Sequence, residues 1–225
     1  MSDFPQAPPP AGPVPGPGRA PALALELALV FGGAPLPLLL GWLPGWKLPW
    51  LLLFLAACAA VLWHDPGFDR ARLWRPGPTP RLRVVLLRAG LAGVAVLALT
   101  VLLAPDALLA FPRRRPGLWL AVMALYPLLS AYPQEFIYRA FFFRRYQGLF
   151  RDGAGLCWAS AAAFAWVHVI YGNPWAVLLS LPVGWLLADT YRRTRSLFWT
   201  TLEHALYGGL AFTLGLGRFF YQPPA

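Results

Sequence analysis

Long apolar runs, unbroken by any alternating pattern, constrain the fold of this chain more than any other feature. Of its 225 residues, 58% are hydrophobic and 12% are charged, against about 25% charged in a soluble domain. Several runs reach the roughly 20 residues that carry a helix across a bilayer. Lipid offers no water to backbone N–H and C=O groups, so a spanning segment must be a helix or part of a closed barrel. Barrel strands alternate inward and outward residues, and these runs do not. The expectation is an all-α, polytopic transmembrane helical bundle of about seven spans.

The expected spans fall at 21–43, 48–64, 84–104, 117–147, 155–171, 175–190 and 196–216. The fourth exceeds one crossing and holds Pro127 and Pro133, where kinks are expected. Trp46, Trp50 and Trp63 flank the second span and suit a membrane–water interface. The predicted organisation is a Pro-rich tail over 1–20, N-terminal transmembrane helices over 21–116, a core over 117–216 and a C-terminal tail over 217–225. The tail, with its PQAPPPAGPVPGPG stretch, has little to bury and is expected to be disordered or polyproline-like. It lacks the basic start and apolar core of a signal peptide.

The net charge of +10 comes from arginines clustered between the apolar runs, as the positive-inside rule expects. No aromatic-rich basic face or helix-turn-helix pattern accompanies them, which argues against nucleic acid as a partner. With the N-terminus inside, loops 65–83, 144–152 and 191–195 face the cytoplasm, whereas Arg113, Arg114 and Arg115 land on the other side, against the rule. Cys58 and Cys157 both sit in apolar runs and read as small buried hydrophobes, not as a disulfide framework.

Four polar residues interrupt the apolar core. Glu135 and Arg139 stand at i,i+4 in the fourth run, His168 lies in the fifth and His204 in the seventh. A charge inside a span costs about 2.5–3.5 kcal/mol on insertion scales and so implies a partner, a cavity or a function. With residue 151 as the turn between antiparallel helices, Glu135 lies 16 residues before it (151 − 135) and His168 lies 17 after it (168 − 151). At ~1.5 Å per residue both stand about 25 Å from the turn, with His204 somewhat shallower. Three spans thus bring a carboxylate and two imidazoles to one pocket. Two chemistries suit such a set. A glutamate activates water while histidines stabilise an oxyanion, or two histidines and a glutamate hold zinc. The zinc reading lacks the helical HExxH spacing. Glu203, beside His204, is a further carboxylate that points into the site or away from it. No serine among Ser130, Ser160, Ser180 and Ser196 sits in a GxSxG elbow.

The residues resemble the CPBP family of intramembrane proteases, which includes the type II CaaX prenyl endopeptidases and bacterial bacteriocin-immunity relatives. The EExxxR motif of that family is matched by Gln134-Glu135 and Arg139, FxxxH by Phe164 to His168, and HxxxN in part by His204 to Gly208. The three occur in order, one per span, over about 117–216. The resemblance implies a bundle with a buried active site open toward one face, and peptide hydrolysis by activated water without a covalent intermediate. It carries over to Glu135, Arg139, Phe164, His168 and His204. Two positions depart from it. The glutamate read in the family as general base is Gln134 here, and the asparagine read as an oxyanion donor is Gly208.

The leading expectation is an intramembrane endopeptidase with Glu135, Arg139, His168 and His204 as catalytic residues. Glu135 would activate water, Arg139 would orient Glu135, and the two histidines would position water and stabilise the oxyanion. No cofactor is expected. The partners are the lipid bilayer and a peptide or protein substrate, prenylated or membrane-embedded. In a bacterium the chain would sit in the inner membrane. Gln134 and Gly208 motivate the alternative of a proteolytically inactive relative acting as a membrane binding or scaffold protein. A proton-linked carrier would also use intramembrane Glu, His and Arg, but no internal repeat is visible.

Overall fold

The computed structural model describes residues 19–43, 47–73, 75–76, 82–150 and 152–221. The Pro-rich segment lies outside the described residues except at its last two positions, where the first helix has begun. Residues 222–225 of the C-terminal tail also lie outside. No strand occurs among the described residues.

The main helices are α1 (Arg19–Leu39), α2 (Lys47–Trp63), α3 (Leu82–Leu103), α4 (116–146), α5 (Gly153–Tyr171), α6 (Pro174–Thr194) and α7 (Leu197–Leu214). Of these, α1, α3 and α5 have both the length and the apolarity to cross a bilayer, and α2 is apolar but shorter. The count of seven spans is therefore not confirmed, although the helical membrane architecture is. The shortfall has a local cause: α6 ends in Asp189, Arg192 and Arg193, and α7 carries Glu203 and His204, so neither is uniformly apolar. Helix α3 turns Leu87, Leu91, Val94 and Leu102 outward, each at least 60% exposed. An apolar face of that extent on a monomer suits lipid.

Helix α4 is not broken at its prolines. It passes through one π-turn at Pro127–Ala131 and a second at Phe136–Phe141, with an α-helical turn at Tyr132–Glu135 between them. A proline has no N–H for the helical ladder, and the wider turn at Pro127 absorbs that loss without a break. Each π-turn also changes which residues face inward downstream of it.

Three helices start on side-chain caps. Asp152 Oδ1 accepts from Gly155 N (2.6 Å), Asn173 Oδ1 from Ala176 N (3.0 Å), and Ser196 Oγ from Trp199 N (3.4 Å). Gly172, at φ +67°, supplies the left-handed turn that lets α5 reverse into α6.

The basic loops gather at one end. Arg144 forms a two-pronged pair with Asp65 (2.7 and 2.8 Å), and Ser196 Oγ donates to the carbonyl of Arg75 (3.2 Å). Arg145 pairs with Glu26 (2.6 and 2.8 Å), which also accepts from Tyr146, so α1 begins at this end as well. At the same end the Arg144 guanidinium, hydrogen-bonded to Asp65, holds that carboxyl below its usual range. Beneath these ties lies an aromatic core in which Phe31 of α1 meets Tyr138, Phe142 and Tyr146 of α4 edge-on, at 5.1–5.8 Å between ring centres.

Candidate active site

Arg139 is fully buried in α4, and its guanidinium joins three helices. Nη1 donates to Ser160 Oγ of α5 (2.7 Å) and to the carbonyl of Tyr138 (3.2 Å), and Nη2 donates to the carbonyl of Gly184 in α6 (3.2 Å). Ser160 Oγ in turn donates to the Tyr138 carbonyl (2.7 Å). The charge also lies over the Phe164 ring, 5.2 Å from its centre, a favourable placement for a guanidinium. Gly184 makes this possible. A Cβ there would stand 2.9 Å from Phe164 Cδ1 and 3.2 Å from Ala161 Cα, so only glycine lets α6 come this close to α5.

Glu135, also fully buried, stands between Arg139 and His204. Its Oε2 lies 3.2 Å from Arg139 Nε as an ion pair whose direction makes no hydrogen bond. Its Oε1 accepts from His204 Nδ1 at 2.8 Å. A carboxylate so placed fixes the histidine tautomer with the proton on Nδ1.

His168 opens the short 3₁₀ turn that ends α5. Its Nδ1 meets the Phe164 carbonyl at 2.7 Å. A carbonyl only accepts, so Nδ1 carries the proton and Nε2 is left as the basic nitrogen. The Phe164 ring contacts both imidazoles, 4.8 Å from the His168 centre and 5.5 Å from that of His204. Arg139, His168 and His204 thus gather around one phenylalanine, and Glu135 joins them through Arg139 and His204.

A cavity of about 760 Å³ opens beside them, between α2 and the first half of α4. Lys47, His168, Gln134, Ser130 and several tyrosines, Tyr126 and Tyr171 among them, contribute its polar lining, and leucines, Phe54 and Trp50 most of the rest. Gln134 Nε2 donates to Ser130 Oγ (2.8 Å), while its Oε1 is buried without a partner. Glu135, Arg139 and His204 are not among the lining residues. Adjacent positions on a helix lie about 100° apart, so Gln134 faces the cavity and Glu135 stands behind it.

Residues 116–210 match the family model described as type II CAAX prenyl endopeptidase Rce1-like. Over this segment the chain is similar to the Rce1-like endopeptidases. The match runs from the start of α4 into α7 and contains Glu135, Arg139, His168 and His204, and it bears out the resemblance to the CPBP proteases drawn from the three motifs. No curated protein and no solved structure matches the chain. The family is one of intramembrane peptidases of the CAAX type, and the chain is an integral membrane protein.

Within the matched segment, Glu203 belongs to a different cluster. It accepts from Thr190 Oγ1 and from Tyr207 (2.6 Å), with Arg88 of α3 at 3.7 Å. Arg88 also donates to Thr190 and to Asp189, both at 3.0 Å, and Asp189 takes Arg192 and Arg193 as well. Every charge in this cluster has a partner, and it ties α3, α6 and α7 together away from the cavity. Sequence reasoning did not find Arg88 and Asp189, although a charge inside the span at 84–104 was the available signal. Ser160 was weighed only as a nucleophile, and Tyr126 was not singled out. Among the described residues, no group of three His, Cys, Asp or Glu side chains is arranged to hold a metal ion. Glu135 and His204 spend their facing atoms on each other, so the donor set does not suit the zinc reading.

Proposed function

We propose that the Rce1-like segment hydrolyses peptide bonds within the membrane, with His168 as the group that takes a proton from water. Gln134 orients that water, and Glu135 with Arg139 fixes His204 behind the cavity wall. The observation that carries this reading is the pairing, in one cavity lining, of a histidine whose Nδ1 is committed to a backbone carbonyl with an amide whose Oε1 has no partner. Water held by Gln134 attacks the scissile carbonyl and gives its proton to His168 Nε2. The imidazolium then returns that proton to the leaving amine. Positioned general bases of this kind contribute about 10²–10⁴-fold. His168 is favoured over Glu135 in this role because Glu135 is enclosed by Arg139 and His204 and does not line the cavity.

The cavity wall suits an apolar or lipid-bearing peptide, such as a prenylated or membrane-embedded substrate. The gathered basic loops suit a cytoplasmic face, which in a bacterium means the inner membrane. Cleavage of a peptide library by the protein in lipid nanodiscs tests the proposal. Wild type should cleave, and His168→Ala should lose at least about 10² of the rate. Full cleavage by His168→Ala would remove His168 from the mechanism.

A second reading is favoured by Gln134 itself, since an amide cannot accept a proton from water at neutral pH. In that reading the domain binds peptides or holds partners without cleaving them. Its signature is an inactive wild type with activity gained in Gln134→Glu.

A further inference from the structure

Gly208 ends the third motif, and the space beside it is filled from another helix. A Cβ at Gly208 would stand 2.5 Å from the Tyr126 hydroxyl oxygen and 2.4 Å from its Cε1. The phenol tip of Tyr126, on α4, therefore occupies the place where a side chain on α7 would otherwise project. Two edge-on contacts set the plane of the ring. His204 lies 5.9 Å away at 81°, and Phe212 lies 5.4 Å away at 77°. Tyr126 also lines the cavity together with His168 and Gln134. Glycine at 208 and tyrosine at 126 are thus one feature, because any larger residue at 208 would expel the phenol.

We propose that Tyr126 is a catalytic residue whose hydroxyl donates a hydrogen bond to the oxyanion formed when water adds to the scissile carbonyl. The proposal rests on the peptidase reading. In the addition step, the water oxygen bonds to the carbonyl carbon, the C=O pair moves onto oxygen, and the proton leaves to His168 Nε2. In the collapse, the pair returns, the C–N bond breaks, and the amine takes the proton from His168. Tyr126 keeps its proton throughout and donates only the hydrogen bond. A neutral phenol suits a site within lipid, since it stabilises developing negative charge without adding a charge of its own. A fixed donor aimed at an oxyanion acts mainly on the transition state, and removing one lowers the rate about 10²–10³-fold. In the rival account the ring only plugs the space at Gly208, and the hydroxyl is incidental.

Tyr126→Phe separates the two accounts, since it keeps the ring and removes the donor. Two probes serve: an acetylated leucine pentapeptide amide, and its phosphonamidate counterpart with a phosphoryl group at the central carbonyl. Binding of each to wild type and to Tyr126→Phe is measured in nanodiscs by equilibrium dialysis, and a thermal melt checks that both are folded. The expected result is that wild type prefers the phosphonamidate and that Tyr126→Phe loses about 10–100-fold of that preference, with affinity for the peptide unchanged. An undiminished preference in Tyr126→Phe would overturn the role of Tyr126 and leave the peptidase reading intact. A wild type that does not favour the phosphonamidate, or binds neither probe, would overturn the peptidase reading and the role of Tyr126 with it.

Discussion

His204 Nδ1 donates to Glu135 Oε1 at 2.8 Å, joining α7 to α4 in the interior of the bundle. The other oxygen of the same carboxylate faces Arg139 Nε at 3.2 Å. Glu135 therefore serves two groups on two sides. It compensates a guanidinium that has no contact with water, and it sets the orientation of an imidazole. Both tasks are structural in the first instance, and both fail together if the carboxylate is lost.

Glu135→Ala should accordingly destabilise the protein strongly. Removing one partner of a buried ion pair leaves the other charge uncompensated and costs about 3–5 kcal/mol. Glu135→Gln keeps the acceptor for His204 and loses only the charge, so its loss should be smaller. Thermal melts in nanodiscs should rank wild type above Glu135→Gln and Glu135→Ala lowest. Equal melting of wild type and the alanine variant would show that the pair contributes nothing to the fold.

Gly184→Ala tests the close approach of α6 to α5. The added methyl would meet Phe164 Cδ1 at 2.9 Å and the Ala161 backbone at 3.2–3.3 Å. Backbone cannot yield as a flexible side chain does, and overpacking of this kind costs about 1–3 kcal/mol. Phe164 touches both imidazoles, so peptide turnover should fall as well. Gly90→Ala in α3 is the matched control, because no atom lies within 4 Å of its added Cβ. It should melt at or slightly above wild type. Indistinguishable melts for the two variants would mean that the α5–α6 contact is more compliant than its distances imply.

Much of this site was legible from spacing. The i,i+4 step from Glu135 to Arg139 gives an ion pair on any helix, and the convergence of His168 and His204 followed from counting residues out from a turn. The 100° step between Gln134 and Glu135 agrees with the one lining the cavity and the other standing behind it. Contacts that depend on how helices rotate against each other were not legible. The π-turns at Pro127–Ala131 and Phe136–Phe141 shift the facing of everything beyond them, and no periodicity predicts their number. Hence Tyr126 and Arg88 were not singled out and Ser160 was weighed only as a nucleophile, although each is placed by a partner on another helix. The span count is left unconfirmed for a related reason: the groups that pair inside α6 and α7 make those helices less apolar than the composition of a membrane crossing requires.

Asp65 supplies a pH dependence outside the membrane. Its hydrogen-bonded pair with Arg144 lowers its carboxyl below the ordinary value of 3.8. A carboxyl with a lowered folded value adds stability that is present above the unfolded value and is lost as pH falls through the folded one. Melting temperature should therefore drop as pH is taken below about 4, and part of that drop should disappear in Asp65→Asn, which starts lower and depends less on pH. The side chains remain about one-third exposed, so screening keeps the effect modest, and salt should shrink it. Parallel melting curves for wild type and Asp65→Asn across that pH range would show that the pair does not couple to folding.

Glu203 is the sharper test of which carboxylates matter to the chemistry. By position it stands next to His204, and sequence alone allowed it to be a second acid in the site. Its contacts point elsewhere. Thr190, Tyr207 and Arg88 surround it, and it does not line the cavity. Glu203→Gln keeps the shape and removes the charge, leaving Asp189 as the carboxylate that faces Arg88. Lost hydrogen bonds to a charged group cost about 1.5–3 kcal/mol each, so the melting temperature should fall clearly. Turnover per folded molecule should nevertheless stay within about twofold of wild type, since a general acid or base would be worth about 10²-fold or more. A stable Glu203→Gln protein that has lost its turnover would reverse the assignment and place Glu203, rather than the cavity-facing pair of His168 and Gln134, at the centre of the reaction.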